Sequence, residues 1–202
     1  MKHKIWLITL TLFLGFYSPS FYAQTHFTCT LINDSLTASN VYEFDIYMLS
    51  NDTSTIELAG MNFGFLYNTQ VQDTGTIKIS WVPKSSELTT TSQLPRNLKV
   101  TTGKKDSADV GLIILGPRMP PGYGDGSIIS NKAPGTRIGR LRLTNSVNFA
   151  SARMNIEWNF PNTNGLYPIT ITAYINQINT NVTSLGKYES KLANPVLNLH
   201  RE

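Results

Sequence analysis

The chain has 202 residues, 41% of them hydrophobic and 15% charged, with a formal net charge of +4. So low a charge, beside abundant Thr, Asn and Ser, excludes a protein built of solvent-facing helices and favours strands and turns. Cys29 is the only cysteine, so no intramolecular disulfide can form; burial must stabilise the fold, and one core suffices at this length.

Residues 1–24 have the layout of a secretory signal peptide. Lys2 and Lys4 precede an uncharged apolar run over 5–16, Pro19 breaks it, and Ala23 supplies a cleavage point. The run is too short to span a bilayer, which takes about 20 residues. The remaining 25–202 are expected to form one β-sandwich domain that works outside the cytoplasm, secreted or at the cell surface. Loss of Lys2 and Lys4 lowers its charge to +2. That modest charge, with scattered Lys and Arg, excludes a nucleic-acid-binding stripe.

Period-2 alternation predicts the strands. The first, 26–32, puts Phe27, Cys29 and Leu31 on one face, which reads Cys29 as a small buried hydrophobe, with an intermolecular bridge as the alternative. In 41–49, Tyr42, Phe44, Ile46 and Met48 face the core, while Glu43, Asp45 and Tyr47 are expected to face water. Residues 56–67 are apolar but broken by Gly60 and Gly64, the mark of a bulge or a close backbone approach. Residues 76–82 alternate around Ile77, Ile79 and Trp81, and Pro83 stops them. Residues 85–95 read as loop and 97–101 as a short strand.

The continuous apolar run 109–115 predicts a strand buried on both faces. A Gly- and Pro-dense loop spans 116–135. Residues 137–143 alternate basic and apolar with a phase slip at Gly139-Arg140, which a bulge explains. Residues 148–152 hint at a helical turn. Strands at 154–160, 169–175 and 178–182 follow, and 195–202 form an edge strand or a tail. No long amphipathic helix separates strands, so the fold class is all-β, an antiparallel β-sandwich of jelly-roll type.

Catalytic chemistry finds little support. His26 and His200 lie at the two ends of the mature chain, and no nucleophile elbow or zinc motif is present. The carboxylates Glu43, Asp45, Glu57, Glu87, Asp106, Asp109, Asp125 and Glu157 read as solvated strand or loop residues. No cofactor is expected; calcium is the one ion considered, with 106–109 and 124–127 as its only loops, and neither has the acid density of a calcium loop. The loop 116–127 carries more promise. Prolines stiffen one half and glycines permit tight turns in the other, so it can display Arg118, Met119, Tyr123 and Asp125 to a ligand while also joining the two sheets. Tyr47 and Tyr123 are the rings best placed to stack on a sugar. Trp81 and Trp158 stay in phase with apolar neighbours and belong to the core.

Four stretches together carry a family resemblance: 42–47 (YEFDIY), 57–68 (ELAGMNFGFLYN), 120–127 (PPGYGDGS) and 135–145 (GTRIGRLRLTN). The chain resembles uncharacterised secreted bacterial modules with a cohesin-like sandwich, related to carbohydrate-binding modules and often exported by the type IX route. Tyr67-Asn68 stands where cohesins have Tyr-Asp. The resemblance implies a nine-stranded jelly roll used for adhesion or scaffolding. Related proteins often carry a C-terminal sorting domain, so a stand-alone form or a truncated gene is expected here.

The leading expectation is a secreted, non-enzymatic module that binds an extracellular protein or polymer. A carbohydrate-binding module recognising a polysaccharide is the alternative. A self-assembling surface protein is the second, because exposed sheet edges invite pairing.

Overall fold

The computed structural model describes residues 25–101, 109–116, 120–159 and 169–197. Residues 1–24, expected to be a signal peptide, and residues 198–202 lie outside them. Twelve strands are assigned among the described residues: β1 (Phe27–Ala38), β2 (Val41–Ser50), β3 (Ile56–Asn68), β4 (Ile77–Trp81), β5 (Arg96–Thr101), β6 (Val110–Gly116), β7 (Ile128–Ile129), β8 (Thr136–Asn145), β9 (Glu157–Trp158), β10 (Thr170–Ile175), β11 (Ile178–Asn181) and β12 (Gly186–Ser190). They form two sheets. The five-stranded sheet runs β12-β1-β2-β8-β4, and the seven-stranded sheet runs β11-β10-β3-β6-β5, with β7 and β9 pairing additionally with β3. Only the β1–β12 pair is parallel among the recorded pairings.

The core lies between the sheets, because each strand turns alternate apolar residues inward. Phe27, Cys29 and Leu31 from β1 meet Tyr42, Phe44, Ile46 and Met48 from β2, and all are fully buried. Phe63, Phe65 and Tyr67 face them from β3. Phe44 and Phe65 touch edge to face across the sandwich, their centroids 5.8 Å apart. Each such ring contributes about 2 kcal/mol by leaving water. Trp158 packs on Phe63, Phe65 and Tyr188, and its Nε1 donates to the Glu189 carbonyl at 2.8 Å. Trp81 is half-buried against the core. Cys29 is free, and burial pushes its thiol pKa up, so it is held unreactive.

The slip at Gly139 is a bulge. Gly139 pairs with Ile46 and Arg137 with Tyr47, which leaves Ile138 as the extra residue. A second bulge sits beside Gly60, where Gly60 and Leu58 oppose the adjacent Thr172 and Ala173. Strand β6 is buried on both faces, with Ile113 and Leu115 in the core and Leu112 and Ile114 on the other side.

Several expectations are corrected. Glu43 and Asp45 do not face water; they are 6% and 3% exposed. The reason is that β2 is an interior strand, flanked by β1 and β8, and arginines from β8 lie beside both carboxylates. Residues 148–152 form no helical turn; among the described residues the 3-10 turns are Thr69–Gln72, Thr91–Gln93 and Thr183–Leu185. The strand expected over 154–160 is reduced to Glu157–Trp158, with Phe160 outside the described residues. The segment before residue 198 makes one bridge, Arg153 to Val196. Strand β12 has no counterpart among the expected strands.

Candidate functional site

The loop after β6 begins in the seven-stranded sheet and ends in β8 of the five-stranded one, so it does join the sheets. Its described part is tightly held. Glu57 on β3 accepts two backbone N–H groups through one oxygen, from Gly124 at 2.6 Å and from Gly126 at 3.0 Å. Gln93 is buried and bridges the loop to β3: Ser127 N–H donates to its Oε1 at 2.8 Å, and its Nε2 donates to the Leu58 carbonyl. Thr90 donates to the Asp125 carbonyl at 2.6 Å, and the Ser127 carbonyl accepts from Leu58 N–H at 2.9 Å.

Glycine is required in this path. Gly122 and Gly124 have φ of 109° and 90°, where side chains are strained. A Cβ at Gly126 would run into the Leu58 carbonyl and the Glu57 side chain.

The product of this bracing is one projecting ring. Tyr123 is 55% exposed. It meets Tyr174 of β10 edge to face at 6.0 Å and 74°, and the Tyr174 hydroxyl accepts Gly122 N–H at 2.8 Å. The neighbouring Asp125 is exposed, and its carboxylate makes no recorded bond among the described residues. Arg118 and Met119 lie outside the described residues. Tyr47 is half-buried on β2 opposite Arg137, in the other sheet; burial, before any neighbouring charge, pushes its pKa up. No ring contact joins Tyr47 to Tyr123. The fold therefore brings Tyr123 and Asp125 together and sets Tyr47 on a different sheet.

Tyr47 borders an ion-pair network instead. Arg140 Nε and Arg142 Nε each donate to Glu43 at 2.6 Å, one to each carboxylate oxygen. Arg140 also lies 3.1 Å from Asp45 and donates to Ser35 Oγ at 2.8 Å. Burial pushes the Glu43 pKa up, but the two guanidinium groups overcome it and hold the carboxyl below its ordinary value. These groups largely satisfy one another.

A shallow groove of about 340 Å³ is lined by residues that include Leu66, Gln70, Asp109, Asn155 and Glu157. It contains none of the residues singled out for ligand binding. Among the described residues no three His, Cys, Asp or Glu side chains gather into a metal site, and no helix is long and apolar enough to cross a membrane. For the calcium loops, Asp106 is outside the described residues, while 124–127 is shaped by Glu57 and Gln93.

Several solved structures are similar to the sandwich. The seventh ScaB type I cohesin of Pseudobacteroides cellulosolvens is similar over 88% of this chain and 98% of its own, at 7% identity and a TM-score of 0.43. The sixth cohesin of scaffoldin B from Acetivibrio cellulolyticus, solved with a mutant Cel5 dockerin, is similar over 83% and 100% at 10% identity and a TM-score of 0.40. The endoglucanase CelQ of Clostridium thermocellum, solved with cellotriose, is similar over 86% of this chain and 27% of its own, at 9% identity and a TM-score of 0.36. No protein-family model and no curated protein matches the chain.

Glu57 and Gln93 are the loop-bracing residues that the sequence pattern does not single out. Glu57 read as a solvated strand residue and Gln93 as part of a polar loop. The available signal was the run of glycines around Asp125, whose N–H groups need acceptors wherever the loop touches the fold.

Proposed function

We propose that the chain is an exported, non-enzymatic protein-binding module that acts as a scaffold or adhesion unit outside the cell. In this reading 1–24 is the leader and 25–202 the working domain. The observation that carries it is Tyr123, held out from the surface by a loop whose backbone is bonded to Glu57, Gln93, Thr90 and Tyr174. A tyrosine already fixed in place loses little freedom on binding, and such rings are typical anchors of protein interfaces. Asp125 beside it supplies an acceptor for a partner's N–H or cation.

A sugar ligand is less well served. Stacking on a pyranose ring favours flat, coplanar aromatic faces, whereas Tyr123 stands edge-on to Tyr174 and Tyr47 lies in the other sheet.

The two readings separate experimentally. Wild type and Tyr123→Ala are passed over a glycan array and over a display library of extracellular proteins. The expected result is a blank array and library-selected proteins whose affinity falls about thirtyfold in the variant, the effect of losing an anchor worth about 2 kcal/mol. Glycan binding abolished by Tyr123→Ala, or protein binding indifferent to it, overturns the proposal.

A further inference from the structure

The four strands that end the main paths of the two sheets are not equally defended. Strand β5 carries Arg96, Lys99 and a bulge. Strand β4 carries Lys78. Strand β12 carries Lys187 and Glu189, ion-paired with each other at 2.6 Å. Charges, prolines and bulges at such positions are what keep edges from pairing with other chains. Strand β11, Ile-Asn-Thr-Asn, has none of the three, and its register against β10 is regular.

Its free hydrogen-bonding groups can be assigned. Asn176 and Gln177 both have positive φ, 50° and 68°, so they form a two-residue turn that makes Ile175 and Ile178 a hydrogen-bonded pair. The pattern then alternates: Thr180 bonds to β10, whereas the N–H and C=O of Asn179 and Asn181 point away from the sheet. The bond from Val182 N–H to the Ile171 carbonyl, 2.9 Å, continues the same alternation. Asn179 and Asn181 are exposed, and among the described residues no hydrogen bond occupies their backbone groups. Ile178 beside them is 67% exposed, the most exposed large hydrophobe among the described residues.

We propose that β11 is a homotypic pairing edge: two copies of this chain join antiparallel through β11 about a two-fold axis at Thr180. In that register Asn179 faces Asn181 of the second copy and the reverse, and each facing pair exchanges two backbone bonds. The strand is self-complementary. Asparagine amides stand opposite asparagine amides, where they can bond to each other. The absence of charge means that like meets like without repulsion, whereas a foreign strand is usually selected by opposite charge. With only four residues the contact is small, so dimer should accumulate with concentration rather than form outright.

Sedimentation velocity over a concentration series tests this on wild type, Asn179→Asp/Asn181→Asp and Asn179→Lys/Asn181→Asp. Aspartate at 181 keeps the oxygen that accepts Thr183 N–H and Oγ1–H. The wild type is expected to dimerise. The double aspartate places acid against acid twice and should weaken the dimer about tenfold or more. The Lys/Asp variant places opposite charges together and should dimerise at least as well as wild type, with salt weakening it. Backbone amide exchange at Asn179 and Asn181 in the wild type should slow as concentration rises, which reads the same contact should a variant fail to fold. A wild type monomeric throughout, a dimer indifferent to the double aspartate, a folded Lys/Asp variant as monomeric as the double aspartate, or amides protected only by an added foreign strand overturns the proposal. None of these outcomes bears on Tyr123, whose loop is braced by β3, β10 and residues 90–93 rather than by β11.

Discussion

One carboxylate organises each of two regions, and the partners differ. At the Tyr123 loop Glu57 takes two backbone N–H groups of glycines. On the outer face of the five-stranded sheet Glu43 takes two guanidinium groups. Bonding to backbone fixes the course of a chain, so the first region ends in an ordered loop with a ring in solvent. Bonding to side chains ties long, flexible groups down onto the sheet, so the second region ends in a closed surface. Orientation of a ligand-ready group is expected from the first arrangement, and stability from the second.

Glu43→Ala should have the largest effect. It removes the 2.6 Å partner of Arg140, whose side chain is 19% exposed, while Asp45 at 3.1 Å and Ser35 still hold the guanidinium, so the cost should be about 3 kcal/mol, the low end for breaking a buried pair. Urea denaturation measures it. Arg142→Ala should cost under about 1 kcal/mol, because its side chain is 43% exposed and solvent screens the pair. If the two variants cost the same, the face is not the closed unit described.

The pH dependence follows from the same pair. The Glu43 carboxyl is held below its ordinary value in the folded chain. The unfolded chain therefore takes up a proton first as pH falls. Its contribution to stability is complete above the unfolded glutamate pKa, about 4.3, and disappears as pH drops through the lower folded value. Glu43→Gln should flatten this acid limb of a stability profile; a limb of unchanged steepness would assign the acid sensitivity elsewhere.

Gln93→Ala should come next. It removes the acceptor of Ser127 N–H and a donor to the Leu58 carbonyl in a buried position, at about 2 kcal/mol. The loss should be accompanied by faster amide exchange across 122–127, a signature that Glu43→Ala lacks. Exchange that stays slow would mean the loop is not held by Gln93.

These differences also mark what could be read from the residues alone. Alternation is local, so β2 and β8 were legible, and even the Gly139 bulge showed as a break in phase. Burial of Glu43 was not, because Arg140 and Arg142 reach it from 97 and 99 residues away, and a carboxylate beside apolar neighbours is ordinarily a wet one. Glu57 escaped notice for the same reason, its loop partners being 67 and 69 residues distant. Strand β12 carries a single inward aromatic, Tyr188, between Lys187 and Glu189, too few positions to establish a period. The exposure of Tyr123 is legible because glycine and proline punctuate its loop, whereas the company of Glu43 and Asp45 suggests an exposed Tyr47 that instead shares in their enclosure.

Tyr123→Ala should alter stability least and function most. The ring is more than half in solvent, and its one aromatic contact among the described residues is the edge of Tyr174, worth about 0.5–1 kcal/mol. Glu57, Gln93 and Thr90 hold the loop backbone without using the ring, so amide exchange over 122–127 should match wild type. Binding and stability thus part company at this position, whereas at Gln93 they fall together. A Tyr123→Ala chain with a loosened loop would show that the ring braces its own support, and the contrast between a loop built to present and a face built to close would not hold.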